Sequence, residues 1–435
     1  MAIRSLRIDR SLGADFSWAL SGNLVYWACQ WGIILVLVKL GTAAQVGEYA
    51  LGMALTAPIV LFANFQLRAL LASDAEGRHS FSQYMSFRVV SLGAALLLVA
   101  GIVAVTQPAA YRATILLIGL AQALDFTSDS YYGLMQKYGR MDRVSKSLMM
   151  KGPLSLIALG AAMFATRSVA WSMAALVAGR LSVLLLHDSK LGFTRGAEDH
   201  AGAVPFRWDL SAALPLVRMA LPLGVISAIG VLSANVPRYF IEAYSGSAAL
   251  GIYSAIASLI SAGSLAVSSA GQSILLPVAK ACAEFDRAKF RSLTVQVMLL
   301  AAGLGGLAVV VSAVAGRQVL TTLFRPEYGE HADLFVRLMA VGMIGFIVSG
   351  QGYVMTAARR LKPQVPLLLV SALVATGASA VLVPRSGIMG AADAVLLAGL
   401  AQLAGGMLIL ASIDRQLRPR PEPAYTGTVA SIAAD

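Results

Sequence analysis

Almost the whole chain, from Phe16 to about Ala411, is taken up by about twelve apolar stretches, each of roughly the 17 to 25 residues that a helix needs to cross a bilayer. Inside hydrocarbon the backbone must satisfy its own hydrogen bonds, so stretches of this length, one after another, predict helices. The expected spans run near 17–38, 46–66, 84–106, 112–135, 149–166, 168–187, 213–235, 248–272, 292–314, 332–357, 365–384 and 388–411. Composition excludes the soluble alternative: 58% of the residues are hydrophobic and 13% charged, where soluble domains carry about 25% charged residues. With so little chain outside the membrane, function is sought in the polar residues that the spans carry.

The first residues, 1–15, lack a small-residue cleavage site behind a short apolar run, so they read as a retained segment before a true first span. Lysines and arginines divide unevenly between the two sides. The side of the N-terminus collects most of them, including Arg4, Arg7, Arg10, Arg78, Lys137, Arg140, Arg143, Lys146, Lys151, Lys280, Arg359 and Arg360. The other side holds few, among them Lys39, Arg112, Arg167, Arg317 and Arg325. The positive-inside rule places both termini in the cytoplasm. A net charge of +12 is then accounted for by basic loops against anionic lipid, and no nucleic-acid partner is expected. The two cysteines, Cys29 and Cys282, and the four scattered histidines form no metal-ligand pattern, so no metal site and no cofactor is expected.

A short internal repeat organises the chain. Gln45-Val46-Gly47-Glu48-Tyr49-Ala50 is echoed by Ala249-Leu250-Gly251-Ile252-Tyr253-Ser254, and Phe81 is matched by Phe285 at the same offset. Six spans per half make the repeats parallel, with an axis along the membrane normal and a cavity between the halves. The expected divisions are a cytoplasmic segment 1–15, an N-terminal lobe 16–187, a linker 188–212, a C-terminal lobe 213–411 and a disordered tail 412–435.

Polar residues within spans are costly and face a cavity or a neighbouring helix. Gln122, Asp125 and Asp129 fall at i, i+3 and i+7 and share one helix face; they are candidates for gating or ion coupling, or for a structural salt bridge between helices. Asn23, Trp27 and Gln30 form an amide and aromatic stripe suited to sugar, or equally to helix packing; Asn235 joins them as a candidate sugar contact. Arg88 and Arg180 lie inside spans, and Arg68 and Arg238 at span ends. Their planar guanidinium forks match phosphate oxygens, although arginines at span ends also snorkel to headgroups.

Gly22-Asn23 with Tyr26, Gln30 and Trp31, then Lys39-Leu40-Gly41, Val46 to Gly52, Ala57-Pro58, Leu67-Arg68 and Ser73-Asp74 form one set of motifs. Further on come Tyr132 to Lys137, Asn235 to Phe240, Pro326-Glu327-Tyr328 and Gly387 to Ala392. This pattern resembles the polysaccharide flippases of the Wzx type, in the superfamily that includes the MATE drug exporters. The resemblance implies a MATE-like fold of two six-helix lobes working by alternating access. It implies a polyprenyl-diphosphate-linked oligosaccharide as substrate, moved from the inner to the outer leaflet of the bacterial inner membrane for surface polysaccharide biosynthesis. A polysaccharide polymerase and a chain-length regulator are partners it would suggest. On this reading Arg88, Arg180, Arg68 and Arg238 bind the diphosphate, and Asn23, Trp27, Gln30 and Asn235 contact sugar.

The alternatives are a MATE-like exporter of cationic drugs and a membrane glycan polymerase or ligase. An exporter would be expected to place acids in the cavity, yet the first span has none beyond Asp15 at its entrance. A polymerase would be expected to use a large outer loop with catalytic groups. The longest one expected, from about Ala315 to His331, suggests no catalytic constellation, and no GxxxxGK[ST] loop marks ATP as the energy source.

Overall fold

A computed structural model describes residues 11–74, 77–191, 207–360 and 362–417. The N-terminal half comprises α1 (Ser11–Leu40), α2 (Ala43–Asn64), the short α3 (Leu67–Ser73), α4 (Phe81–Thr106), α5 (Ala109–Lys137), α6 (Met141–Thr166) and α7 (Val169–Val183). A π-helical turn, Leu184–Asp188, carries α7 into the single turn α8 (Ser189–Leu191). The C-terminal half comprises α9 (Ala213–Ala257), α10 (Ile260–Ala283), α11 (Arg287–Leu323), α12 (Ala332–Ala357) and α13 (Gln364–Gln416), with a 3-10 segment at Pro326–His331.

Ten of the helical runs are long and apolar enough to cross a membrane, and two of these are 57 and 53 residues long. A straight helix of that length would reach roughly 80 Å, more than twice the hydrocarbon thickness. Both are hairpins. Gly246, at φ 78°, turns α9, and Gly387, at φ 56°, turns α13; a residue with a Cβ is strained in that region. Ser371 Oγ accordingly lies 3.3 Å from Gln402 Oε1, a residue 31 positions further along the same run. Counting each arm separately gives about twelve crossings, the number expected from hydropathy. The described residues are all-helical, and their spans make the chain a multi-pass membrane protein.

Local sequence explains the remaining boundaries. Thr42 with Gln45 and Ser80 with Gln83 form capping boxes that start α2 and α4. Phe65 and Gln66, at φ 49° and 52°, break α2 from α3.

The repeated hexads meet each other. A Cβ on Gly47 would collide with the Ser247 carbonyl, and one on Gly251 with the Ala43 carbonyl. Residue 43 matches 247 and residue 47 matches 251 at one constant offset, so the two contacts are images of each other. That is the signature of a twofold axis passing between α2 and the second arm of α9.

A large apolar cluster closes the end of the bundle where α1 finishes and α2 begins. Leu37, Val46, Ile118 and Met173 of the N-terminal half pack there with Ile241, Leu250, Phe324, Phe335 and Ala391 of the other. At the opposite end, which carries most of the basic loops, two clusters occur. One joins α3, α4, α5 and α6 to the start of α9 through Leu216 and Ala220; the other, around Phe290 and Val354, lies in the C-terminal half.

The expected linker, 188–212, is docked at both described ends. Asp188 is fully buried, and the backbone N–H groups of Arg207 and Asp209 donate to Ser82 and Ser86 at 3.1 and 3.0 Å. The helix of the last span extends to Gln416, held where Arg287 and Arg291 each reach Asp414 at 2.7 Å. Residues 1–10 and 418–435, which hold most of the expected terminal segments, lie outside the described residues.

Candidate functional site

Two regions of the bundle interior bring charged side chains together with polar ones. The first is a charge network inside the N-terminal half. Asp125, on α5, receives Arg180 of α7 at 2.5 Å and the Tyr26 hydroxyl of α1 at 2.8 Å. Arg180 also donates to the Ala121 carbonyl at 3.1 Å and to Gln30 Oε1 at 3.2 Å, so one guanidinium ties α1, α5 and α7 together. Lys151 of α6 stands between two carboxylates, 3.8 Å from Asp125 and 3.5 Å from Asp188, with its ammonium over the Tyr132 ring. Asp188 further accepts from Ser147 at 2.5 Å and approaches Tyr132 Oη at 3.5 Å. Two cations and two carboxylates therefore balance. In a low-dielectric interior such pairing is what makes burial of charge tolerable.

Close by, Arg68 of α3 reaches Asp129 at 3.2 Å. Arg88 of α4 is fully buried; it donates to Ser130 Oγ at 3.1 Å, to the Asn64 carbonyl at 2.9 Å and to the Asn64 side chain, leaving Nη2 without a protein partner. Gln122 donates to Thr56 Oγ1 at 2.7 Å and ties α5 to α2. The face formed by Gln122, Asp125 and Asp129 is thus engaged along its length by α2, α7, α6 and α3.

The second region lies between the halves. A cavity of about 190 Å³ is walled by Ile34, Tyr49 and Met53 on one side and by Arg238, Ser254, Ser258 and Ser261 on the other. Arg238 bonds the Asn235 side chain one helical turn away, and it has no carboxylate within ion-pair distance among the described residues. Its Nε and the Ser254 hydroxyl are buried without protein partners. The cavity therefore presents one uncompensated cation and a row of hydroxyls, a set matched to an anionic, hydrogen-bonding ligand.

Along α1, the predicted stripe divides. Gln30 belongs to the charge network. Asn23 is exposed and donates to the Ala19 carbonyl of its own helix at 2.7 Å, and the Trp27 ring is half exposed. Asn23 and Trp27 share the helix side of Ile34, which lines the cavity, and Ser21–Gln30 makes no hydrogen bond or ion pair with α10. The four predicted arginines are thus distributed: Arg68, Arg88 and Arg180 lie within the N-terminal half, and Arg238 lines the cavity while bonded to Asn235.

The pattern of the sequence marked Asp125, but Lys151 and Asp188 were missed as its network. Both carry a signal in retrospect. Lys151 stands two positions before Pro153 in an apolar span, and Asp188 directly follows the run Leu184–His187. No group of three or more His, Cys, Asp or Glu side chains suited to a metal occurs among the described residues.

Residues 12–282 match a family model described as polysaccharide biosynthesis protein. The chain is 25% identical over 393 residues to the capsular polysaccharide biosynthesis protein CapF of Staphylococcus aureus, covering 87% of this chain and 94% of that one. Among solved structures, it is similar to an inward-facing multidrug resistance MATE family transporter of the MOP superfamily. That match has a TM-score of 0.70 at 11% identity and covers 91% of this chain and 99% of the other. The lipid II flippase MurJ in an inward closed conformation matches with a TM-score of 0.72 at 9% identity, over 92% of this chain and 90% of the other.

Proposed function

The chain belongs to the polysaccharide biosynthesis protein family, and from that premise we propose that it is a flippase for a polyprenyl-diphosphate-linked oligosaccharide. It carries its cargo from the cytoplasmic to the outer leaflet of the bacterial inner membrane by alternating access, without covalent chemistry. The basic end of the bundle is the cytoplasmic one, and both termini lie there.

The observation that carries this reading is Arg238, a cation without a carboxylate partner in a cavity between two six-span halves. A glycan and its diphosphate crossing about 30 Å of hydrocarbon unaided would lose many hydrogen bonds, each costing several kcal/mol. A polar cavity between the halves removes most of that barrier while the prenyl chain stays in lipid. Arg238 contacts the diphosphate, with Asn235 holding the guanidinium in place. The apolar cluster at the far end seals the cavity from the outer side. Lys39 and Arg325 strap it: Lys39 donates to the Thr322 carbonyl at 3.0 Å and Arg325 to the Lys39 carbonyl at 2.9 Å, across the halves. Arg68, Arg88 and Arg180 serve the cycle indirectly, by keeping the N-terminal half rigid; Asp125 and Asp129 are held there too, as the groups through which an ion would couple. A cationic drug is disfavoured as cargo by the sign of the cavity charge.

The test is leaflet-resolved movement of a polyprenyl-diphosphate oligosaccharide in proteoliposomes, for wild type and Arg238→Ala. Transport by wild type and its loss in the variant, at equal amounts of folded protein, is expected. Equal transport by both would remove Arg238 from the cargo path, and none by wild type would remove the flippase reading.

A further inference from the structure

A larger cavity than the one at Arg238, about 470 Å³, lies wholly within the C-terminal half, between α10, α12 and the start of α13. Its floor is aromatic. Phe346 and Tyr353, seven positions apart on α12, each lie over a glycine of α10, where a Cβ on Gly263 would strike the Phe346 ring and one on Gly271 the Tyr353 ring. The two glycines let both rings settle against the α10 backbone and leave open space beside them.

Its walls set hydroxyls beside the apolar side chains of Val267 and Leu275. Ser264 and Ser268 donate to the Ile260 and Leu265 carbonyls of their own helix at 3.2 and 2.9 Å, which leaves their oxygens free to accept. Ser349, Tyr353 and Thr356 have side-chain hydroxyls with no protein partner, and Gln364 keeps an unused amide oxygen beside its bond to the Arg360 carbonyl. None of the lining residues is charged.

A mainly apolar, partly aromatic surface edged by hydroxyls and an amide, with no charge, matches a sugar ring, whose C–H face is apolar and whose rim is hydroxyl. The groove is also placed for it. Ser261 lines the Arg238 cavity and Ser268 this one, on the same helix and seven residues apart, a rise of about 10 Å. Resting on the flippase reading above, we infer that the groove between α10 and α12 binds an uncharged sugar of the cargo while the diphosphate sits at Arg238. Selectivity for neutral against acidic sugars at that position follows, because a carboxylate there would be desolvated without a counter-charge.

The experiment uses the full chain in lipid nanodiscs and measures the affinity of three probes. These are bare polyprenyl diphosphate, the same carrier with a neutral disaccharide, and the carrier with a disaccharide ending in a uronic acid. The neutral disaccharide is expected to bind more tightly than the bare carrier, by about three- to tenfold from one or two net hydrogen bonds. The uronic acid is expected to forfeit that increment. Tyr353→Phe with Ser268→Ala and Thr356→Val should abolish the increment and leave the bare carrier unchanged. Gly271→Ala, which displaces the Tyr353 ring, should do the same; the hydroxyl variants carry the test if it does not fold.

An increment that survives the hydroxyl variants, or one that is equal for the uronic acid, overturns the inference. Tighter binding of the bare carrier by those variants overturns it in favour of a prenyl chain in the groove. If Arg238→Ala leaves bare-carrier affinity intact, the diphosphate assignment fails, while the sugar increment still decides the groove. No binding of any probe by wild type defeats both.

Discussion

Among the described residues, the buried polar side chains of the N-terminal half include Arg88, Lys151, Arg180 and Asp188; those of the C-terminal half are Asn235, Ser258, Ser312, Gln351, Ser371 and Ser379, none of them charged. Both halves make six crossings and meet through matched glycines, so the contrast is one of chemistry. A buried charge holds its neighbours in one geometry, because any rearrangement exposes an unpaired ion to low dielectric. A buried hydroxyl or amide is cheaper to leave unmatched and can exchange its partner for water or a ligand. On the proposed flippase reading the two halves divide the work: the N-terminal half is a braced block, and the C-terminal half supplies Arg238 and the uncharged groove for the cargo.

The sharpest way to break this comparison is to remove one charge. Asp188→Ala leaves Lys151 in a buried site with only the more distant Asp125, and is expected to cost about 3–5 kcal/mol, seen as aggregation or a lower unfolding temperature in detergent. The double variant Lys151→Met with Asp188→Leu should recover much of the loss, since both charges go together. If Asp188→Ala alone is as stable as wild type, the N-terminal half is not braced by charge.

Next in size is Arg238→Ala, which has no ion pair to break. Transport is expected to fall about tenfold or more, the worth of one charge-assisted hydrogen bond to cargo, while thermal stability stays within about 1 kcal/mol of wild type. Arg180→Ala should show the reverse order of effects, losing stability first. Measuring both quantities for both variants separates bracing from cargo contact.

The spans and the face of Gln122, Asp125 and Asp129 were legible in the sequence because hydropathy and helical periodicity are local properties. The two hairpins were legible as separate spans, although their turns are the single residues Gly246 and Gly387. The identity of the partners was not legible. Lys151 reads as one more basic residue of the cytoplasmic side, and only packing of α6 against α5 and the π-turn after α7 brings its ammonium between Asp125 and Asp188. Arg88 and Arg238 are likewise the same residue type in similar apolar surroundings. What separates them is tertiary: Asn64 and Ser130 surround Arg88, while the second arm of α9 holds a cavity open beside Arg238.

A smaller effect is expected in the neutral half. Gln351 is fully buried on α12, donates to the Leu403 carbonyl at 3.2 Å, and leaves its Oε1 unpaired against Gly406. Gln351→Leu removes one hydrogen bond and one unsatisfied oxygen together, so stability should change by less than about 1.5 kcal/mol. A loss as large as that of Asp188→Ala would show that uncharged polar groups brace the C-terminal half too. The unfolding temperatures of the two variants, side by side, decide it.

The smallest effect lies outside the membrane, where backbone donors do more than a cation to hold a carboxylate. Burial at the loop before α4 works to raise the Asp74 carboxyl, but the backbone N–H groups of Arg78 and His79 donate to it at 3.0 and 3.2 Å and, with nearby Lys137, hold it below the ordinary carboxylate range. A depressed folded-state pKa means stabilisation that is complete above the unfolded value of about 3.9 and lost as pH falls through the folded value. Asp74→Asn is therefore expected to speed amide exchange at Arg78 and His79 at neutral pH. The difference from wild type should disappear once the medium is acidic enough to protonate Asp74. Exchange rates that differ equally at neutral and strongly acidic pH would mean that the loop is held by side-chain shape, and that the charge of Asp74 contributes nothing.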